Sequence, residues 1–245
     1  MTILFISDLH LCAERTRMTT LFVRFLENIA PRASALYILG DLFEYWIGDD
    51  QLDHDPLARG VAVGIKRATD RGTAVFFMHG NRDFLIGARF AKEAGLTILP
   101  DPTIVDLGGQ RTVLMHGDTL CTDDIAYQQF RTQVRTAKWQ RDLLQKSYAA
   151  RDALARSLRS QSDIEKSLKA EAIMDVNTDA VTRAFSEHNV PLLIHGHTHR
   201  PAMHQVRCNE STTSPLCTRW VLPDWHAKGG YLLGERGSLS MHFIA

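Results

Sequence analysis

Seven side chains able to hold a metal recur in five short motifs. They are Asp8 and His10 in Asp8-Leu9-His10, Asp41 after Gly40, Asn81 after Gly80, His116 before Gly117, and His195 and His197 in His195-Gly196-His197. Imidazole nitrogen with carboxylate and amide oxygen, and no cysteine, suits a pair of divalent transition ions better than a structural zinc. Alone, each motif is weak. Gly-Asp and Gly-Asn are ordinary turn dipeptides, and an Asp-x-His is commonly a turn residue beside a surface imidazole. Their shared context carries the argument. Each follows a short apolar run: ILFIS before Asp8, LYIL before Gly40, VFFM before His79, TVLM before His116 and PLLI before His195. Such runs read as buried strands, and in open α/β sheets ligands gather at the carboxyl ends of strands. Five tips so placed converge on one site.

The elements that must hold those tips alternate over the first 117 residues. Strands are expected at 2–7, 35–39 and 73–78, and helices at about 16–30 and near 56–71, with a short helix ended by Gly95. Strands near 103–107 and 111–115 flank Gly108-Gly109, a hairpin turn. From Asp118 to Val190 there is no Gly and no Pro, and Ala, Leu, Gln, Lys and Arg dominate, so the segment reads as helical. Between Ala126 and Ala170 it carries ten Lys or Arg and four Asp or Glu, a local net charge of +6 in a chain whose formal charge is zero. That block is either a solvated face or a cap over the site. As a cap, its basic side would meet a pyrophosphate, an anionic membrane surface, or both. Trp139, Leu143, Leu144 and Tyr148 either line such a cap or pack it onto the core, while Trp46, Trp220 and Trp225 read as packing.

The chain has 245 residues, enough for one large α/β domain or two small ones, and 44% hydrophobic residues, ordinary for a soluble protein. Zero net charge excludes a global electrostatic footprint for nucleic acid. Four cysteines show no Cys-x-x-Cys spacing; Cys208 and Cys217 could pair across a loop, but free thiols are expected. With no long apolar run and no signal-peptide pattern, a cytoplasmic protein is expected.

In sequence order the motifs D-x-H, GDxx[ED], GN, H and GHxH resemble the calcineurin-like metallophosphoesterases. The fuller wording (ISDLHLC, YILGDLFEYWIGDD, HGNRDFLIG, LMHGDTLCTDD, AIMDVN, LIHGHTHRP) is similar to the branch acting on UDP-2,3-diacylglucosamine in the lipid A pathway, from Ile3 to about His226. The resemblance implies a single α/β domain, a four-layer αββα sandwich with a helical lid insertion at 122–172. It implies two divalent ions, manganese first. One would sit on Asp8, His10, Asp41 and His197, the other on Asp41, Asn81, His116 and His195, with Asp41 bridging. Two-metal-activated water would attack the α-phosphorus, giving UMP and 2,3-diacylglucosamine 1-phosphate, with Asp41, Asn81 and Arg82 as catalytic residues. Implied substrate contacts are Asn81, Arg82, Asp124, Arg159, Ser162, Lys166, Lys169 and His195. At 166 this chain departs from the Asn of the family, and Asp124 equally suits a helix N-cap, as does Asp123. Peripheral attachment to the cytoplasmic face of an anionic inner membrane is also implied, with no nucleic acid and no obligate protein partner.

Arg82 stands where most of the superfamily has a histidine. Arginine cannot serve as general acid or base, but it clamps phosphate and stabilises transition-state charge. That suits a phosphate leaving group, which needs little protonation, and argues against a cyclic-nucleotide phosphodiesterase or a dinucleoside polyphosphate hydrolase. A nuclease lacks its basic platform here, and a non-catalytic scaffold would be expected to have lost ligands. His199, Arg200, His79 and Asp118 are expected to orient the ligating histidines.

Overall fold

Ile3 and Phe5 point one way from the first strand and Leu4 and Ile6 the other, and all four are buried, so this strand is covered on both faces. The computed structural model describes residues 2–168, 175–208 and 215–245, the side chains of 162–168 excepted. Its strands are β1 (Thr2–Ile6), β2 (Ala35–Leu39), β3 (Ala74–Met78), β4 (Thr97–Leu99), β5 (Thr103–Asp106), β6 (Arg111–Met115), β7 (Leu192–His195), β8 (Ala202–Arg207), β9 (Leu216–Val221), β10 (Gly229–Glu235) and β11 (Ser238–Ile244). Its helices are α1 (Thr16–Asn28), α2 (Gln51–His54), α3 (Pro56–Asp70), α4 (Ala88–Ala94), α5 (Ile125–Val134), α6 (Ala137–Leu144), α7 (Tyr148–Leu168) and α8 (Thr178–His188).

One sheet runs β11-β10-β1-β2-β3-β4 and the other β5-β6-β7-β9-β8. The strands β1 to β4 are mutually parallel, as are β6, β7 and β9. Between the sheets lie Ile3, Phe5, Leu39 and Met78 from one and Leu114 and Ile194 from the other. Outside the first sheet, α1 offers Met18, Leu21, Phe22, Phe25 and Leu26, the one-stripe spacing of an amphipathic helix, and α3 adds Val61, Ala62 and Ile65. Outside the second, α8 buries Val181, Ala184 and Phe185 against Val113, Met115 and Leu193. The layers are therefore helix, sheet, sheet, helix, as the resemblance implied. Local signals set the ends: Asp55 accepts from Leu57 N–H (2.9 Å) ahead of Pro56, and Gly95 closes α4 at φ 69°.

The described part of the unpunctuated middle is helical, as α5, α6 and α7, and three of its arginines are tied to loops that follow the strands. Arg131 pairs with Asp118 (2.7 Å), Arg159 with Glu44, and Arg151, 4% exposed, with Asp50 while donating to the Ile47 carbonyl (2.6 Å). The thiol expectation is corrected: Cys208 and Cys217 form a disulfide. The cause is the β8–β9 pairing, which sets Cys217 opposite Val206 and lets Cys208 N–H donate to Pro215 (3.1 Å), leaving the two Cα atoms 6.0 Å apart. No helix among the described residues is long and apolar enough to cross a membrane.

Candidate metal centre

The carboxyl ends of β1, β2 and β3 lie side by side in one sheet and those of β6 and β7 in the other, so the five tips meet. The backbone there is strained: Asp8, His10, Asp41, His197 and His199 have φ of 57°, 49°, 53°, 68° and 54°. Non-glycine residues at positive φ are uncommon and gather where function over-determines geometry. The loops are laced together, with Leu9 and His10 N–H groups donating to the Asp41 carbonyl (2.9 and 3.0 Å) and Gly196 N–H to His116 (2.9 Å). Gly80 permits the closest approach, since a Cβ there would lie 2.1 Å from Asp41 Oδ1.

Asp41 is 2% exposed, and its Oδ2 lies between two imidazoles, 3.8 Å from His10 Nε2 and 3.8 Å from His116 Nε2. Its other oxygen accepts from Arg82 N–H (2.9 Å). Asp8 is fully buried. Its Oδ2 accepts from the Ser7 hydroxyl (2.6 Å) and His197 N–H (2.8 Å), while Oδ1 faces His199 Nε2 at 3.4 Å. Asn81 Oδ1 sits 3.0 Å from His116 Nε2 and 3.1 Å from His197 Nδ1. Lone-pair donors thus point at one another across a buried space, an arrangement that a cation satisfies and neutral packing does not. Within two groups, Asp8–His10–His199 and Asp8–Asp41–His116, the ligating atoms all lie inside 4.8 Å.

The electrostatics agree. Burial alone would raise the Asp8 pKa, but His199, His116 and His10 outweigh it and hold the carboxyl well below the usual range. Burial pushes Asp41 up. His116 would be lowered by burial, yet Asp41, Asp118 and Asp8 drive it up to about 9. His195 and His197 are pushed down to about 3, mainly by burial and then by Arg219 and His116 respectively. Both are neutral at physiological pH, the form that ligates. His116 Nδ1 lies 2.8 Å from the Leu39 carbonyl and must carry the proton there, which directs its Nε2 lone pair into the cluster.

Residues 1–201 match the calcineurin-like phosphoesterase family. The chain belongs to that family. Its members use divalent metals, and the phosphoesterase here is a hydrolase. A UDP-2,3-diacylglucosamine hydrolase of Escherichia coli O81 (strain ED1a) is 50% identical over 229 residues, 94% of this chain and 93% of the relative. One from Escherichia fergusonii is 50% identical over the same shares.

A cavity of about 620 Å³ opens from this phosphoesterase's cluster into the helical insertion, inside the usual range for ligand sites. Its walls include His10, Asp41, Asn81, Arg82 and His197 from the cluster together with the apolar side chains of Trp46, Phe84, Phe130, Trp139, Leu143 and Leu158. Asp124 and Arg159 line it too. Asp124 also caps α5 by accepting from Tyr127 N–H (3.1 Å), whereas Asp123 accepts from Asn177 (2.9 Å). Of the four aromatic or leucine side chains expected in the insertion, Trp139 and Leu143 line the cavity; Leu144 is 45% exposed, and Tyr148 stacks on His54. The side chains of Ser162 and Lys166, and Lys169 as a whole, lie outside the described residues.

His195 stands apart from the other six sequence-chosen ligands. Like Asp8 and His116 it is fully buried and does not line the cavity, but its ring nitrogens are taken up elsewhere: Nδ1 is 2.8 Å from the Gly196 carbonyl, and Nε2 accepts from Arg219 (3.0 Å). His199, expected to orient a ligand, instead reaches Asp8 and His10 directly. His79 bonds the Ile86 carbonyl (2.7 Å), Arg200 pairs with Asp175, and Asp118 is held by Tyr127 (2.5 Å) and Arg131. Three residues were missed. Asp83, fully buried, accepts from Gly80 N–H (2.9 Å) and Leu42 N–H (2.7 Å) and so ties the Asp41 and Asn81 loops together. Glu44 lies 3.5 Å from His10 Nδ1 and pairs with Arg159. Both stand inside motifs already picked out, GNRD and GDLFE, whereas Arg219 lies in no motif.

Proposed function

We propose that this phosphoesterase hydrolyses the pyrophosphate of UDP-2,3-diacylglucosamine at the α-phosphorus, releasing UMP and 2,3-diacylglucosamine 1-phosphate. The observation that supports it best is the cavity, whose walls combine metal-binding groups with apolar side chains of the insertion. A pyrophosphate at the cluster would set an acylated sugar against those apolar walls, and the relatives' names supply the substrate class.

Asp8, His10, Asp41, Asn81, His116 and His197, joined by His195 or His199, would hold two divalent ions, manganese first for so oxygen-rich a set. When bound, such ions supply Lewis acidity that activates water and neutralises phosphate charge. The protein's own work is positional. Arg82 lines the cavity beside Asn81 and would grip a phosphate oxygen, stabilising charge as the anhydride breaks. Having no proton to give near neutrality, it leaves the sugar phosphate to depart unprotonated. Asp124 and Arg159 stand where the glucosamine and its phosphate would pass, and Ser162, Lys166 and Lys169 belong to the same proposed wall.

The protein would work at the cytoplasmic face of an anionic inner membrane, where its substrate resides. Ile125, 66% exposed, and Leu144 lie on the insertion beside exposed Arg141 and Lys146, a mixture suited to a lipid headgroup layer. Incubation with UDP-2,3-diacylglucosamine and Mn²⁺, beside Asp41→Ala, is the test. UMP and lipid product released by the wild type alone support the reading; hydrolysis of a generic phosphodiester without either product refutes the substrate. Sedimentation with anionic vesicles at low salt tests the membrane claim, which fails if the protein stays in the supernatant.

A further inference from the structure

The apolar walls of the large cavity suit the lipid half of the proposed substrate, and its nucleoside half calls for polar groups near the cluster. A second cavity, of about 270 Å³, adjoins the first, sharing Thr198 and Arg200 as walls and completed by Asp175, His204, Arg219 and Val221. None of its described lining residues belongs to α5, α6 or α7. Arg219 is 8% exposed, and its hydrogen bond among the described residues goes to the neutral His195 ring at 3.0 Å. A guanidinium carries five N–H donors; Asp175 offsets the Arg219 charge through space, but most of those donors have no acceptor among the described residues. Thr198 Oγ1, also buried, has no hydrogen-bond partner. Asp175 is already engaged by Arg200 at 2.6 Å. The cavity is therefore a pocket of unmet donors next to the reacting centre.

We propose that this second cavity takes the nucleoside half of the substrate, a uridine 5′-monophosphate group whose phosphate stays at the metal-ligand cluster. The assignment rests on the reading given under Proposed function. Uracil presents a carbonyl, an N–H and a second carbonyl along one edge. The carbonyls accept from Arg219 and the Thr198 hydroxyl. His204, whose pKa burial and then Arg219 lower, accepts from the N–H through a ring nitrogen. Cytosine reverses two of those partners, so the pocket discriminates between the bases.

The test uses the manganese-loaded protein and UMP itself. Calorimetry with wild type, Thr198→Val and His204→Ala should show UMP affinity reduced about tenfold in each variant, the scale of one lost hydrogen bond to a polar site, with CMP weaker than UMP on the wild type. Photocrosslinking with 4-thio-UMP should label peptides spanning 198–206 or 216–221. Label confined to the insertion, unchanged UMP affinity in both variants, or no UMP binding by the wild type overturns the proposal. Turnover of the lipid substrate is measured on the same preparation. Release of UMP with unaltered affinities sinks only the cavity assignment, whereas absent turnover with variant-sensitive UMP binding sinks the lipid reading and supports the nucleotide pocket.

Discussion

Glu44 joins the metal cluster to the helical insertion, and Glu44→Gln should show it. The carboxylate stands 3.5 Å from His10 Nδ1 on one side and pairs with Arg159 of α7 on the other. A ligating histidine normally gives its distal N–H to a carboxylate, which fixes the ring and raises the basicity of the nitrogen facing the metal. Loss of such a partner typically reduces metal affinity about 10–100-fold, or roughly 1.4–2.7 kcal/mol. The Gln variant keeps the shape and removes the charge, so a loss near the lower figure is expected. Arg159 is 29% exposed at its side chain, so its own contribution through Glu44 should stay under about 1 kcal/mol. Mn²⁺ affinity measured against a competing chelator, for Glu44→Gln, Arg159→Ala and the double variant, reads both effects. The double variant should lose little beyond Glu44→Gln, because Arg159 reaches the cluster through that carboxylate. Metal affinity within twofold of wild type in Glu44→Gln would refute the reasoning, as would strictly additive losses.

Three further outcomes are expected. Asp83→Asn replaces an acceptor with an amide that faces the Gly80 and Leu42 N–H groups, so it should lower stability by about 1–3 kcal/mol, read as a shifted urea midpoint at constant slope; an unchanged midpoint would show the carboxylate to be dispensable. Arg151→Ala strands the buried Ile47 carbonyl at about 1–3 kcal/mol, with little added by Asp50, which is 41% exposed. Limited proteolysis should then cut α5 to α7 faster while the sheets stay intact, and uniform cleavage of the whole chain would argue against a separate docking role. His116, driven up to about 9 in the metal-free protein, must shed a proton to ligate. Apparent Mn²⁺ affinity should therefore rise by up to about tenfold per pH unit between 6 and 9 and level off above, with proton release visible by calorimetry in buffers of different ionisation enthalpy. A flat profile would remove His116 from the ligand set.

What could be read from the chain divides by the range of the interaction. Each strand tip is a local object, an apolar run followed by a turn, so the exits of β1, β2, β3, β6 and β7 were visible one at a time. Parallel pairing then forces them together without further information. The Glu44–Arg159 pair and the Arg219–His195 contact join residues 115 and 24 positions apart and follow no period, so only the fold reveals them. His199 entered the cluster through a left-handed backbone at 54°, a rotation that spacing does not encode. Charge shows the limit most clearly. The insertion's excess of basic residues is a true count, but Asp118, Asp50 and Glu44, which meet Arg131, Arg151 and Arg159, lie outside the segment counted. A basic block in a sequence is thus an anion site only where the fold leaves its cations facing a cavity. In this chain Arg82, Arg151 and Arg159 all line the cavity, but Arg151, like Arg131, is spent on fastening the insertion through its bonds to Asp50 and the Ile47 carbonyl. Neutralising Arg131 or Arg151 would consequently loosen the insertion before it weakened any grip on phosphate, and neutralising Arg82 would do the reverse.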